Sequence, residues 1–306
     1  LAGAGVGGGS LNYANTLYKP PATFFNDPQW AHITDWSDEL SPFYDQARRM
    51  LGVVINPSMT PADEIMKSVG FDAIEIHMGH GYLLSSFFSP NLNKRSDRYG
   101  GTTARRAELA RRVAERVRLN VGDSVAVTAK FNMDDGVRRG FWLTDSLPTA
   151  QLLEADGYLH ALQLTGGSSL LNPMYYFRGN VPLDEFIASQ PRPVGLGLRI
   201  VGRRMFRTYP FEEAFFLPLA RQFREALSMP LMLLGGINRL DTVESALAEG
   251  FNYVAMARAL LRDPFLISSF RDETANKGRC IHCQKCMPTV YSGTKCVVRE
   301  TTSMHL

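Results

Sequence analysis

FDAIEIHMGHGYLLSSFFSPNLNKRSDRYGG, running from Phe71 to Gly101, decides how the rest of the chain reads. Phe71 to Ile76 alternates weakly between apolar and polar and is rich in β-favouring residues, the pattern of a buried strand that ends at His77. His80 follows between two glycines, and Tyr82 comes next but one. Two imidazoles and a phenol therefore gather where a strand hands over to a loop, and the carboxyl ends of parallel strands are where α/β folds bind ligands.

These residue types suit a reaction in which an oxygen gains negative charge. Two imidazole N–H groups, one at a strand end and one on a glycine-flanked turn, can converge on a single oxygen, and donors fixed in advance at such an atom contribute about 3 kcal/mol each. Tyr82 adds a phenol, a neutral acid that can give a proton to a strongly basic carbon or oxygen. Taken singly, each has a structural use: His77 closes a strand, His80 sits on a loop, Tyr82 packs into a core. The combination is what points to chemistry. Asn93 to Gly101, NKRSDRYGG, alternates charge as a solvated, salt-bridged loop leading into a helix would.

HxxHGY after DxIEIH and before SPxxNKRxDxYGG resembles the old yellow enzyme family of FMN-dependent oxidoreductases, and the resemblance continues to about Cys296. It implies that His77 and His80 hold the acceptor oxygen of a substrate over the flavin and that Tyr82 donates the proton.

From Ser68 onward strand and helix patterns alternate, as in a parallel α/β sheet or barrel. Strands are expected at Val125–Phe131, Tyr158–Thr165, Pro230–Ile237 and from Tyr253, with helices at Thr102–Leu119, Glu213–Leu227 and Asn238–Gly250. The arginines of the first helix lie off its apolar stripe and read as a solvated face. Leu170 to Pro210 is rich in Pro, Tyr and Arg with little periodicity and reads as a long loop, in which Tyr175, Tyr176 and Arg178 are assigned to packing. Lys130 falls inside an apolar strand, where a cation is costly without an anion or strong acceptor. The resemblance places it beside the flavin pyrimidine, and it places the FMN phosphate at Gly235, Gly236, Ala257 and Arg258. Glycines after one strand and an arginine opening the next helix offer N–H donors and a guanidinium to a phosphate. Measured against the family's eight-stranded barrel, the chain holds strands four to eight, so the expected fold is α/β, a partial TIM barrel preceded by a foreign segment.

That segment, residues 1–67, does not read as three βα units. GVGGGSLNYAN, then DPQWAHITDW and YDQARRMLGV, resemble the glucose–methanol–choline oxidoreductases, in particular the cholesterol-oxidase-like branch. The resemblance implies that Gly7 to Gly9, Ser10 and Asn12 or Asn15 lie against FAD, although the dinucleotide GxGxxG that should come first is absent. Phe24, Phe25, Trp30, Trp36, Phe43 and Tyr44 call for burial, and Ser37 to Met50 has helical spacing.

All four cysteines, Cys280, Cys283, Cys286 and Cys296, fall in one C-x2-C-x2-C-x9-C cluster. In a reducing compartment such clustering favours a metal centre over disulfides. Four thiolates at this spacing suit a [4Fe–4S] cluster, with zinc or free thiols as the alternatives. Relatives of the dienoyl-CoA-reductase type carry a cluster at a comparable place with a longer spacing. His282, inside the motif, reads as a surface residue.

The whole chain has 306 residues, 45% apolar, with a net charge of +3, enough for a core and too little basic excess for nucleic acid. No apolar run reaches membrane-spanning length and no signal peptide opens the chain, which makes the cytoplasm the expected location; the start at Leu1 leaves room for sequence upstream. The expected organisation is a GMC-like fragment at 1–67, an incomplete FMN barrel at 68–275 and a cysteine-rich segment at 276–306. The expected function is an FMN-dependent NAD(P)H oxidoreductase that reduces activated alkenes, a small-molecule substrate. The alternatives are a flavin-dependent alcohol or sterol oxidase fragment, or a fusion of two incomplete oxidoreductases.

Overall fold

A computed structural model of the chain describes residues 25–26, 28, 31–51, 72–123, 125–169, 171–291 and 293–298. The expected FAD-contacting positions between Gly7 and Asn15 lie outside them. The chain divides into two compact units, Leu1–Phe71 and Asp72–Leu306.

In the first unit, α1 spans Trp36–Leu51, close to the helix expected from Ser37. Asp35 starts it: its Oδ1 accepts from the backbone N–H groups of Ser37 and Asp38 at 3.0 and 3.2 Å, and Asp38 and Glu39 sit in the first turn, where carboxylates oppose the positive end of the helix dipole. The demand for burial is met only in part: Phe25 is buried, Trp36 and Tyr44 are half-buried, and Phe43 is 63% exposed on the helix surface.

The second unit is built on five parallel strands in the order β1 (Ala73–Met78), β2 (Ala126–Asn132), β3 (Ala161–Thr165), β4 (Leu231–Leu234) and β5 (Tyr253–Ala255). Neighbours in sequence are neighbours in space, and β1 and β5 are the edges. Side chains alternate between faces along a strand. On one face Ile76, Val127, Phe131, Leu162, Leu164, Leu231 and Leu233 are buried with Ala107, Ala110, Ala150, Leu153, Ala220 and Phe223 from the helices. Phe131 lies 5.7 Å from Phe88, 5.9 Å from Phe141 and 6.2 Å from Phe223, ring centre to ring centre. Truncating so enclosed a ring costs about 3–5 kcal/mol. The other face carries a row set by the pairing register: His77 opposite Lys130, Lys130 opposite Gln163, Gln163 opposite Met232, and Met232 opposite Tyr253. The first strand runs to Met78, one residue beyond the end expected at His77, and His77 pairs within the ladder.

The connecting helices are α2 (Leu83–Phe88), α3 (Thr103–Val121), α4 (Leu143–Asp156), α5 (Leu183–Ala188), α6 (Arg192–Met205), α7 (Leu217–Ala226), α8 (Leu240–Ala248), α9 (Arg258–Arg262) and α10 (Leu266–Arg271). Thr102 caps α3 through the Arg105 N–H, and Gly122 ends it at φ 67°. Its basic face is not wholly solvated. Arg106 is buried, donating from Nε to the Phe88 carbonyl at 2.7 Å and from Nη2 to Asp145 at 2.6 Å, which ties α2, α3 and α4 together.

Residues 170–210 are likewise more than a loop, because they contain α5 and α6. Pro193 falls in the first turn of α6, where its missing N–H costs nothing. Gly195 and Gly202 face α5: a Cβ there would stand 3.1 Å from the Ile187 carbonyl oxygen and 3.0 Å from Leu183. Residues that read as helix breakers instead permit close helix packing. The loop from Asn93 to Gly101 is as expected, with an Arg95–Asp97 ion pair and Asn93 Nδ2 donating to the carbonyls of Phe87 and Tyr99, both at 2.7 Å. Among the described residues no helix is long and apolar enough to cross a membrane.

Candidate functional site

At the carboxyl end of β1 the chain turns through Gly79, His80 and Gly81. His80 adopts φ 60°, left-handed for a residue with a side chain, and is held there by long-range bonds. Its N–H donates to Asn132 Oδ1 at 3.0 Å, its carbonyl accepts from Ser169 N–H at 2.8 Å, and its Nε2 lies 2.9 Å from Thr165 Oγ1. Asn132 and Thr165 end β2 and β3 directly opposite one another. Asn132 is fully buried, and its Nδ2 donates to Asp135 Oδ1 and to the Gly167 carbonyl, both at 2.8 Å.

The two imidazoles and the phenol do meet. The rings of His77 and His80 are 5.2 Å apart at 74°, and Tyr82, at the start of α2, stands 4.8 Å from His77. Tyr82 is 55% exposed, so it is not a core residue. His77 Nδ1 accepts from the Gly79 N–H at 3.2 Å, which places its ring proton on Nε2. Both histidines resist protonation. Burial, then the neighbouring His77 and Lys130, pull His80 down to about 3, and burial followed by the Lys130 charge lowers His77. Lys130 is half-buried in the row beside His77 and pairs with Glu75 at 2.9 Å. That strand neighbour is the anion its position calls for.

Tyr176 also borders the site, although its sequence context gave only packing. Its ring stacks on His80 at 4.4 Å and 20°, and its hydroxyl lies 3.0 Å from Ser169 Oγ. Gly167, at φ 91°, makes room: a Cβ there would come within 2.5 Å of the Tyr176 ring. Asn132, Thr165 and Glu75 are the other residues that sequence reasoning passed over. Their one available signal was position, since each stands on the same face as Lys130 or at a strand end.

Gly235 and Gly236 end β4, and Ala257 and Arg258 follow β5, so all lie at the same carboxyl edge of the parallel sheet. Both glycines have positive φ, and a Cβ on Gly236 would stand 2.7 Å from Phe211 and 2.8 Å from Phe215. Arg258 turns the other way. It donates to the Arg178 carbonyl at 3.3 Å and lines a pocket with Arg262, His282, Gln284 and all four cysteines. A polar, cation-bearing sheet face with backbone and side-chain donors at its carboxyl edge fits an anionic flavin cofactor. Lys130, Gly235, Gly236 and Ala257 are the positions that offer donors there, and Arg258 is shared with the cysteine pocket.

In that pocket Cys280, Cys283, Cys286 and Cys296 are half-buried free thiols. Burial raises the Cys280 and Cys286 thiols above their ordinary pKa. Among the described residues no three ligating side chains stand close enough to form a preformed metal cage. The donor set, four thiols on one pocket, fits a thiophilic metal or cluster. His282 is a buried residue rather than a surface one: it stacks on Phe211 at 3.5 Å, with φ 53°, and burial then Arg258 lower its pKa to about 4.

Comparison with known proteins finds the chain similar to oxidoreductases. Residues 59–160 match the profile of the NADH:flavin oxidoreductase / NADH oxidase family. The chain is 70% identical over 231 residues to the 4,4'-dithiodibutanoate disulfide reductase of Rhodococcus erythropolis, covering 76% of this chain and 57% of that protein's length. It is also 59% identical over 97 residues to a cholesterol oxidase of Mycobacterium tuberculosis, covering 31% of this chain and 16% of the oxidase. Among solved structures, the 6-hydroxypseudooxynicotine amine oxidase of Pseudomonas geniculata shares the fold, with a TM-score of 0.55 at 21% identity over 78% of this chain and 34% of that one.

Proposed function

We propose that this chain carries the acceptor-reducing site of an FMN-dependent NAD(P)H oxidoreductase acting on activated alkenes, with His77, His80 and Tyr82 as the groups that meet the substrate. The observation that carries this reading is the convergence of the two imidazoles with the phenol at the strand edge. FMN, once bound, would supply the hydride for the β-carbon, drawn from NAD(P)H. The chain's own residues do the rest. His77 presents Nε2–H because its Nδ1 is occupied. With the Thr165 hydroxyl donating to Nε2, neutral His80 carries its proton on Nδ1 and presents a second donor. Both N–H groups on one acceptor oxygen polarise the alkene, and Tyr82 then protonates the α-carbon. Tyr176, stacked on His80, keeps that ring from rotating away.

A second acceptor class has specific support, because the 70% identical relative is named for a disulfide substrate. In that case the S–S bond breaks, one sulfur takes the hydride and Tyr82 protonates the departing thiolate. Tyr82→Phe separates the readings in single-turnover kinetics of the chain loaded with FMN. Alkene reduction should slow by about 100-fold or more while flavin reduction by NAD(P)H is spared. Disulfide reduction should fall far less, since a thiolate leaves without much help. Equal loss of both half-reactions would remove Tyr82 from its role.

The cysteine pocket is read as a [4Fe–4S] site, with zinc as the competing metal; the support is four thiols on one pocket. Iron and sulfide analysis of protein purified without oxygen tests it. Residues 1–67 are read as a segment joined from a cholesterol-oxidase-like protein, which the short, strong likeness to that enzyme supports. Sequencing independent DNA across Asp63 to Ser68 tests the joint. A cytoplasmic location belongs to the same proposal.

A further inference from the structure

The outer side of α6 combines exposed apolar residues with unanswered positive charge. Its inner side is fixed by Gly195 and Gly202, which pack against α5. On the outer side Leu196, Ile200 and Val201 are 64%, 80% and 53% exposed. Leu196 and Ile200 stand one turn apart, with Arg192 a turn earlier on the same line, and Arg199 and Arg203 form the line beside it. Arg192, Arg199, Arg203 and, just past the helix, Arg207 are exposed, and none has a hydrogen bond or ion pair among the described residues. Several arginines elsewhere on the surface have a carboxylate, as Arg118 has Asp123, Arg221 has Glu249 and Arg239 has Asp241. From Phe186 to Phe211 the chain has five arginines and no Asp or Glu, in a protein whose net charge is only +3.

We propose that the outer side of α6 is a docking surface for an anionic lipid bilayer, on which the helix lies in the plane of the headgroups. The inference is independent of the acceptor site at the strand edge. At 14 residues α6 is too short to cross a bilayer, and its charge confines it to the interface. Charge complementarity selects the occupant: guanidiniums without carboxylates of their own meet lipid phosphates, while Leu196, Ile200 and Val201 enter the acyl boundary. Arginine stems can lie along the apolar residues with their heads among the phosphates. A protein partner fits this face less well. Protein interfaces draw their affinity from aromatic anchors seated in pockets, with Leu and Val under-represented, whereas the exposed anchors of α6 are aliphatic and stand on a convex helix. A bilayer asks for no matching shape.

The test is flotation of the full chain with vesicles of phosphatidylcholine alone and of phosphatidylcholine containing about one-third phosphatidylglycerol. The chain should float with the mixed vesicles and not with phosphatidylcholine, and binding should fall as salt is raised. R199Q and R203Q should each weaken partition about fivefold, the effect of one basic residue near such a surface. Ile200→Ser should weaken it about tenfold or more, because a large aliphatic side chain is no longer withdrawn from water. Arg105→Gln removes an equally exposed cation from α3 and should leave partition within about twofold of the unaltered chain. Circular dichroism of each variant checks folding, and Leu196→Ser gives a second reading of the apolar contribution. Failure of the unaltered chain to bind mixed vesicles would overturn the proposal, as would equal weakening by R105Q and the α6 variants. Salt-sensitive binding that Ile200→Ser and Leu196→Ser leave unchanged would mean that charge alone is recognised, as an acidic protein surface would recognise it, and would overturn the bilayer as occupant. Self-association that Ile200→Ser abolishes, without vesicle binding, would assign the face to a second copy of the chain instead.

Discussion

Replacing His80 by glutamine should change how stability responds to acid. The folded protein holds His80 at about 3, by burial first and then by His77 and Lys130, whereas an unfolded chain leaves an imidazole near its ordinary 6.5. As pH falls, the unfolded chain takes up this proton before the folded one does. The contribution of neutral His80 is therefore fully present above the unfolded value and is lost as pH drops towards the folded one. Integrating between those two values, acidification from about pH 7 to about pH 5 should cost the native protein about 2 kcal/mol through this one group, rising to about 4 kcal/mol at about pH 3. Asp134 and Asp135 act in the opposite sense, since burial raises both and the folded state binds their protons first. They are common to both proteins and cancel in the difference. Urea unfolding of the native chain and of His80→Gln at pH 7, 6 and 5 reads the effect directly. The native protein should lose about 2 kcal/mol more than the variant between the extremes. A gap that stays constant to within about 0.5 kcal/mol would show that His80 is not held neutral by its surroundings, and the two-donor reading of the histidine pair would fall with it.

Asn132→Ala should destabilise the second unit by about 3 kcal/mol, since it deletes three hydrogen bonds, two of them buried, and orphans the His80 N–H, the Gly167 carbonyl and an Asp135 oxygen; urea unfolding at pH 7 measures it. Lys130→Met should weaken FMN affinity, read by quenching of flavin fluorescence, while Lys130→Arg retains more of it. An unchanged affinity in Lys130→Met would mean that Lys130 serves Glu75 alone.

What the sequence made legible follows from period and from local chemistry. The five strands could be found because each is a short apolar run bounded by glycine, proline or a helix pattern, and the HxxHGY cluster because its residues are neighbours along the chain. What stayed hidden depends on long-range contacts. Asn132 and Thr165 reach His80 from 52 and 85 residues away, and no local pattern marks either. Tyr176 could not be told from any packed tyrosine until Gly167 opened the space beside His80. The helices α5 and α6 were missed because their prolines and glycines are common in loops. Here proline stands in a first turn and glycine at a helix contact. Arg258 was matched by motif to a phosphate, and the structure shows its side chain against thiols that come more than twenty residues later in the chain.

The geometry of the candidate site is set largely from the other side of the sheet. His77, Lys130 and Gln163 share a row because Ile76, Ala129 and Leu162 share the adjacent one, and side chains alternate faces at every step. A slip of one residue in β2 would drive Lys130 in among Phe88, Phe141 and Phe223, where its ammonium would lose Glu75 and water together, and would turn Phe131 out to the open face. The aromatic cluster around Phe131 excludes that register. Its residues touch no candidate substrate group, yet they decide that a cation and an imidazole stand side by side at the strand edge. Phe131→Ala should accordingly loosen the Lys130–His77 arrangement through the ladder, and damage to flavin binding should track lost stability across substitutions at Phe131. Substitutions at Lys130 should break that correlation.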